Sequence, residues 1–196
     1  TLNSTSLEME SLLQTLIADW RLKISEKKIE LRLEVESGLP TVCGDRFRLE
    51  QVLNNLIENA IKYTDAGGSV CISAAQAGEC IEVRVRDTGS GIPAADLPHI
   101  FERFYRADKA RSRALGGTGL RLSIVKHIVQ LHGGSVSPES AVGEGSTIVI
   151  RVPAGAKQVT LDSGDAAQFD RNSEEAVDTG KNECDPDFPK RSFPIK

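Results

Sequence analysis

A stripe of apolar residues between positions 45 and 63 is the feature that most constrains the fold of this chain. Its members recur every three or four positions, the spacing that puts side chains on one face of an α-helix: Leu49, Val52, Leu53, Leu56, Ile57, Ala60 and Ile61. Asp45 precedes the stripe and is predicted to cap the helix N-terminus. A helix with one apolar face needs a second layer against which to bury it, so the chain must supply that layer.

Periodicity predicts the other elements. Helical or alternating spacing of apolar residues predicts helices over 7–27 and 120–132, and strands over 29–35, 69–75, 80–87, 135–138 and 147–153. The strands and helices do not alternate regularly, which argues against a doubly wound parallel sheet. We therefore predict an α+β fold, a two-layer α/β sandwich in which helices cover one face of a mixed sheet.

Composition divides the chain at about residue 153. The segment 154–196 lacks periodicity and carries six basic and nine acidic side chains, so most of the net charge of −4 belongs to it. Such a segment buries too little apolar surface to offset its ordering entropy, and we predict a disordered acidic tail. The remainder is predicted to be one folded domain, 7–153, preceded by a linker, 1–6. The mildly acidic balance argues against nucleic-acid binding.

The localisation of the chain is predicted from features that its sequence lacks. No apolar run approaches the roughly 18–20 residues that span a bilayer, and the polar N-terminal residues do not form a signal peptide. The four cysteines (Cys43, Cys71, Cys80 and Cys184) show no metal-ligand spacing and are predicted to be free thiols. These features favour a cytoplasmic domain.

A polar face accompanies the apolar stripe on the helix 45–63. Asn55, Glu58, Asn59 and Lys62 are spaced by three, four and seven residues and share one side of the helix. Amide oxygens are hard ligands that suit Mg²⁺, and a neighbouring lysine suits phosphate. The alternative is an ordinary solvated face.

Two glycine-containing segments could also contact a ligand. Asp87 ends a strand and opens D-T-G-S-G, where a carboxylate could accept a hydrogen bond from an exocyclic amine such as adenine N6. The residues 116–119 (G-G-T-G) directly precede a helix, and backbone amides at a helix N-terminus bind anions. A tight turn and a flexible loop are the respective alternatives. The second segment is not a P-loop, because no G-K-[ST] follows its glycines.

Together these segments resemble a known family. NNLIENAIKYT, DTGSGIP, IFERFYRAD, GGTGLRLSIVKHIVQLHGG and GEGSTIVI are similar, in that order, to the N box, first glycine box, F box, second glycine box and final turn of sensor histidine kinases. The resemblance covers residues 7–153 and implies the catalytic ATP-binding domain, with the Bergerat α/β sandwich that gyrase, Hsp90 and MutL share. The ligands it implies are ATP and Mg²⁺.

The resemblance also implies roles for individual residues. The implied Mg²⁺ ligands are Asn59 and Asn55, and the implied catalytic residues are Asn55, Lys62 and Arg106, with Arg106 reaching the γ-phosphate. Phe101 and Phe104 would anchor an ATP lid. The implied nucleotide-binding residues are Asn55, Asn59, Lys62, Tyr63, Asp87, Gly89, Gly91, Ile92, Phe104, Gly117, Thr118, Gly119, Leu120, Arg121, Leu122 and Thr147, with Asp87 reading adenine and Thr147 near the adenine end.

Arg121 departs from the family pattern, because members usually read G-T-G-L-G-L at this point. A side chain there could clash with phosphate or distort the loop, and we predict weaker ATP binding than in an Arg121→Gly variant. Alternatively, the guanidinium points outward or adds a phosphate contact.

None of the three histidines lies in the context of a phosphoacceptor. His99, His127 and His132 are predicted to be structural or surface residues. The resemblance therefore implies that this domain, itself a monomer, donates a phosphoryl group to a histidine on a separate dimerisation domain of a parent kinase, which could be membrane-anchored. A response-regulator receiver domain would be the next partner. The rival functions are another Bergerat ATPase and a nucleotide-binding or docking module without kinase activity.

Overall fold

The computed structural model describes residues 2–24, 27–107 and 118–155. Within them lie three helices, α1 (Met9–Ile24), α2 (Arg46–Tyr63) and α3 (Arg121–Leu131). Each matches a predicted helix to within a few residues. The carboxylate of Asp45 accepts a hydrogen bond from the Arg48 backbone N–H, so this residue caps α2 as predicted.

Five strands form one mixed sheet. They are β2 (Glu30–Val35), β4 (Ser69–Ala77), β5 (Cys80–Asp87), β6 (Ser135–Ala141) and β7 (Gly145–Pro153). Their order is β2-β4-β5-β7-β6, in which β2 and β4 are parallel and every other neighbouring pair is antiparallel. Pro138 lies in β6, where an edge strand tolerates its missing N–H. The predicted mixed sheet is confirmed.

A second, two-stranded sheet was not predicted. In it, β1 (Thr5–Leu7) pairs antiparallel with β3 (Val42–Gly44). Leu7, expected to begin the first helix, therefore lies in a strand, and part of the expected linker is paired with the fold. The N–H of Ala154 bonds to the Glu79 carbonyl, and the rest of the expected tail from residue 156 lies outside the described residues.

The core lies between one face of the large sheet and the helices. Alternate residues of β5, such as Ile81, Val83 and Val85, are buried in it together with the apolar stripe of α2. The other face of β5 carries Glu82 and Arg84. The helices thus cover one face of the sheet, as the predicted α+β sandwich requires.

Cysteine chemistry differs from the prediction. Cys43 and Cys71 are free, as expected, but Cys80 takes part in a disulfide bond, so the expectation of free thiols is wrong for that residue. Among the described helices, none combines the length and the apolar character that a membrane span demands.

Candidate functional site

A cavity of about 330 Å³ opens where α2, the end of β5 and the start of α3 meet. Its volume is in the range of small-molecule sites. The residues that line it are Leu56, Asn59, Ala60, Lys62, Tyr63, Val85, Asp87, Ser90, Gly91, Ile92, Pro93, Ile100, Tyr105, Arg106, Ala107, Thr118, Gly119, Arg121, Leu122, Val142, Ser146 and Ile148. Apolar walls and a few convergent polar groups suit a ligand with a flat ring and a charged end.

The last two turns of α2 supply polar groups to one wall of the cavity. Asn59 and Lys62 line it directly, and the ammonium of Lys62 lies 5.5 Å from the centroid of the Tyr63 ring. Asn55, one turn before Asn59, does not line the cavity. Its amide Nδ2 is nevertheless buried and has no hydrogen-bond partner among the described residues, which is unusual for a buried polar atom.

Asp87 supplies the carboxylate of the site. The residue is 8% exposed, and its Oδ1 accepts hydrogen bonds from the backbone N–H groups of Gly89 (2.8 Å) and Ser146 (3.3 Å). Burial raises the pKa of Asp87 above its ordinary value, and the two backbone bonds offset only part of that rise. Both bonds end on Oδ1, so Oδ2 is left to accept a hydrogen bond from a ligand.

The loop after β5 lies close against the β6–β7 turn. Gly91 has a φ of +71°, and a Cβ there would lie 2.0 Å from the carbonyl oxygen of Ala141, so no other residue fits without displacement. The hydroxyl of Ser140 accepts a hydrogen bond from the Ile92 N–H at 2.8 Å and donates to the Gly145 carbonyl at 2.7 Å. These contacts hold the glycine loop in the position that shapes the cavity.

The two chain segments that flank residues 108–117 meet beside the cavity. The Phe104 N–H bonds to the Gly119 carbonyl at 2.9 Å, and Phe104 holds a strained φ of +67°. Its ring is exposed, whereas the ring of Phe101 packs against the core. Nearby, the Tyr105 hydroxyl donates to Asp96 at 2.5 Å, a bond that raises the pKa of the phenol.

Arg121 begins α3 and reaches across to α2. Its guanidinium donates a hydrogen bond to the Glu58 carboxylate, forming an ion pair between the two helices. Arg121 is not among the described residues with positive φ, so its backbone does not need glycine. Arg121 lines the cavity, and its guanidinium is engaged by Glu58 of the neighbouring helix.

Most of the residues implied by the resemblance come together at this cavity. Those that line it are Asn59, Lys62, Tyr63, Asp87, Gly91, Ile92, Arg106, Thr118, Gly119, Arg121 and Leu122. Those that lie in the same segments without lining it are Asn55, Gly89, Phe104 and Leu120. Gly117 lies outside the described residues.

Thr147 is placed differently from the expectation. It pairs with Arg86 and Glu139 in the sheet and so lies on the face of β7 opposite the cavity, because side chains alternate along a strand. Its neighbours Ser146 and Ile148 line the cavity instead. Ser146, and not Thr147, therefore lies at the cavity.

Several lining residues were missed at the sequence level. Ser146 and Ile148 are two positions apart in β7 and so share the face that lines the cavity. Ile100 and Tyr105 lie in the F box segment, but their position at the cavity depends on how that segment folds back. Local spacing carries no signal for that long-range contact.

The three histidines take structural or surface positions. The His132 Nε2 accepts a hydrogen bond from the Asp45 N–H at 3.0 Å, while its Nδ1 lies 2.8 Å from the Ile128 carbonyl oxygen. His99 pairs with Glu102 at 2.8 Å, and His127 is exposed on α3. None of the three lines the cavity.

Sequence and structure comparisons both match this chain to histidine kinases. The chain is 41% identical over 152 residues to SenX3, a sensor-like histidine kinase of Mycobacterium tuberculosis, covering 78% of this chain and 37% of SenX3. It resembles the solved catalytic domain of the histidine kinase ThkA with a TM-score of 0.69 and 28% identity, covering 78% of this chain and 96% of that one. Full-length ShkA in complex with AMPPNP gives a TM-score of 0.71 and 32% identity, covering 80% and 32% respectively.

These similarities define a catalytic domain of the histidine kinase type. The model of the family described as histidine kinase-, DNA gyrase B-, and HSP90-like ATPase matches residues 44–156. The chain belongs to that ATPase family, as the resemblance implied. It spans little more than a third of the length of SenX3, at 37%.

Proposed function

We propose that this chain is the ATP-binding catalytic domain of a sensor histidine kinase, which donates the γ-phosphoryl group of ATP to a histidine on a separate dimerisation domain. One observation carries the proposal: a single cavity is lined by Asp87, by Asn59 and Lys62 of α2, and by the backbone that leads into α3. A buried carboxylate at one end suits an exocyclic amine, and the amide and ammonium groups suit a Mg²⁺-bound polyphosphate.

Asp87 and the glycine loop are proposed to bind the adenine. The Oδ2 of Asp87 would accept a hydrogen bond from the exocyclic N6 amine, while the apolar side chains of Ile92, Leu122 and Ile148 pack against the ring. Gly91 keeps the loop backbone tight against Ala141, which preserves the width of the slot. The slot would hold a flat purine and exclude water from its faces.

Asn55 and Asn59 are proposed to hold Mg²⁺. Both amides lie on one side of α2, and the buried, unpartnered amide of Asn55 fits a role in which its oxygen turns to a cation. Mg²⁺, when bound, supplies charge neutralisation to the phosphates. Lys62 and Arg106 would contact the phosphates directly, and the backbone N–H groups at the start of α3 would add hydrogen bonds favoured by the helix dipole.

The transfer itself needs a nucleophile from outside this chain. In the proposed step, a neutral imidazole nitrogen of the acceptor histidine forms a bond to the γ-phosphorus as the bond to the β–γ bridging oxygen breaks, and ADP leaves. Lys62 and Arg106 would stabilise the charge that develops on the transferred group and on the leaving oxygen. The chain's contribution is therefore binding, orientation and charge neutralisation.

The partners follow from this role. We propose the dimerisation domain of a parent kinase as the acceptor and the receiver domain of a response regulator as the final recipient. ThkA, a structural relative, has been solved in complex with the response regulator TrrA, which supports this kind of partner. The ATP-dependent step would take place on the cytoplasmic side of a membrane, where ATP is available, with the isolated domain a monomer.

Titration with Mg²⁺–ATP followed by phosphotransfer tests the proposal. The chain should bind Mg²⁺–ATP, should not phosphorylate itself, and should label a histidine-containing dimerisation domain of the parent kinase when one is added. Asn59→Ala should abolish the transfer. Binding without transfer would favour a module without kinase activity, hydrolysis without transfer would favour another ATPase of the family, and self-phosphorylation on His127 would refute the assignment.

A further inference from the structure

Glu58 of α2 pairs with one cation that lines the cavity and is spaced along the helix to reach a second. It is bonded to Arg121 of α3, and it precedes Lys62 by four residues on the same helix. A glutamate and a lysine at positions i and i+4 form a favourable helical ion pair in that orientation. Glu58 therefore has two possible partners, and the structure records the pair with Arg121.

Lys62, by contrast, is directed to the cavity. It lines the cavity, its ammonium lies over the Tyr63 ring, and it forms no salt bridge with the part of the chain that the structure describes. Its charge is therefore available to an anionic ligand in this arrangement.

We propose that Arg121 is a positioning residue, which engages Glu58 and so keeps Lys62 free to contact the phosphates of the nucleotide. This inference rests on the proposed function. Without Arg121, the carboxylate of Glu58 would become free to pair with Lys62, drawing its ammonium away from the cavity. The negative charge of Glu58, one residue from Asn59, would also repel the phosphates.

The change in ATP affinity caused by Arg121→Gly distinguishes this positioning role from a clash with phosphate. A clash between Arg121 and phosphate predicts that Arg121→Gly tightens ATP binding, whereas the pair with Glu58 predicts that it weakens binding. A direct contact between Arg121 and phosphate also predicts weakening, but that loss would not depend on Glu58 or on Lys62. The three mechanisms are therefore separable by combining substitutions.

The experiment measures dissociation constants for Mg²⁺–ATP and for adenosine by calorimetry. Arg121→Gln keeps a long polar stem without charge and should weaken ATP binding roughly three- to fivefold, the upper range for an exposed ion pair, while adenosine binding stays within about twofold. Arg121→Lys should restore most of the ATP affinity. Arg121→Gly should behave as Arg121→Gln does, and thermal unfolding of each variant verifies that it is folded.

Two double variants test whether the effect of Arg121 on ATP binding depends on Glu58 and Lys62. Glu58→Gln should rescue Arg121→Gln, because the neutral amide no longer attracts Lys62. In a Lys62→Met background, whose ATP affinity is already low, Arg121→Gln should cause no further loss. Arg32→Gln, which removes an exposed pair with Glu30 on β2, away from the cavity, is the matched control and should leave ATP binding unchanged.

Tighter ATP binding by Arg121→Gly, or a loss that Glu58→Gln does not rescue, would overturn the proposal. So would an equal loss of adenosine and ATP binding, which indicates general distortion of the site. Failure of the proposed function has a different signature, which appears in the unmodified chain: it would bind neither ATP nor adenosine, or it would bind ATP without labelling an added dimerisation domain.

Discussion

Strand β5 carries one carboxylate on each face of the sheet, the partly buried Glu82 on the outer face and the buried Asp87 on the face that borders the cavity. Glu82 is bonded to Arg84 and Arg151, each at 2.7 Å, and its side chain is only 12% exposed. Burial by itself would raise the pKa of Glu82, but the hydrogen bonds and charges of the two arginines outweigh it and lower the pKa below its usual value.

Asp87 has no such partner. Among the described residues its carboxylate forms hydrogen bonds only with backbone N–H groups, and burial raises its pKa. The difference shows how the two groups are used. The charge of Glu82 is satisfied within the fold, whereas Asp87 keeps hydrogen-bonding capacity for a ligand, which is the usual condition of a carboxylate at a functional site.

The largest effect is expected from Asp87→Asn. The amide oxygen of asparagine can still accept the bonds from Gly89 and Ser146, but its NH₂ group meets the adenine amine donor to donor. A lost hydrogen bond to a charged group corresponds to about 2–3 kcal/mol, or a roughly 30- to 150-fold weaker affinity for ATP. Calorimetric titration measures this loss, and near-native affinity in the variant would show that Asp87 does not bind the base.

Glu82→Gln should instead affect stability. The substitution leaves Arg151 mostly buried without its counter-charge and leaves Arg84 with only the longer pair to Glu139 at 3.4 Å, so we expect the free energy of unfolding to fall by about 2 kcal/mol at neutral pH. Urea denaturation measures this change, with Glu30→Gln as an exposed control that should have no measurable effect. ATP affinity should stay within about twofold, and a large loss of affinity would mean that the two faces of β5 are not independent.

The pH dependence of stability should have opposite signs for the two groups. The folded pKa of Asp87 is raised, so its contribution to stability is present at low pH and is lost as pH rises from the ordinary value of 3.8 through the raised pKa. The folded pKa of Glu82 is lowered, so its contribution is present above the ordinary value of 4.5 and is lost as pH falls through the lowered pKa.

Urea denaturation over a range of pH from about 3 to about 7 tests these signs. The free energy of unfolding of Asp87→Asn, relative to that of the unmodified chain, should increase as pH rises. The destabilisation caused by Glu82→Gln should become smaller as pH falls. Parallel curves for the unmodified chain and Asp87→Asn would contradict the raised pKa of Asp87.

The alternation in β5 was enough to predict which of its residues share a face. Ile81, Val83 and Val85 lie in the core and Glu82 and Arg84 lie opposite, as their period of two implies. The identity of the partner could not be predicted in the same way. Arg151 lies opposite Glu82 only because of the register between β5 and β7, which is set by tertiary packing and is not encoded in either strand alone.

The short strands and some of the cavity residues could not be predicted either, because their positions also depend on tertiary packing. A three-residue strand such as β1 is too short to show periodicity, and its pairing partner β3 lies more than thirty residues further along the chain. The residues of α2 and Asp87 could be assigned from motifs, because those motifs combine residue type with spacing. Tyr105 and Ser146 could not be found that way, since their place at the cavity depends on contacts between distant segments.

The smallest effect is expected from Thr147→Val, and it tests the boundary between the two faces. Thr147 shares the outer face with Glu82, although the family resemblance placed it near the adenine. Because Thr147 does not line the cavity and valine has a higher tendency to form strands, ATP affinity should change by less than about twofold. Ser140→Ala is the matched comparison, because the Ser140 hydroxyl bonds to the Ile92 N–H in the loop that lines the cavity. That substitution should weaken ATP binding several-fold, by removing a hydrogen bond of about 1 kcal/mol. If Thr147→Val weakened ATP binding as much as Ser140→Ala, the outer face would contribute to the nucleotide site, and the separation of a structural from a ligand-binding carboxylate on β5 would have to be abandoned.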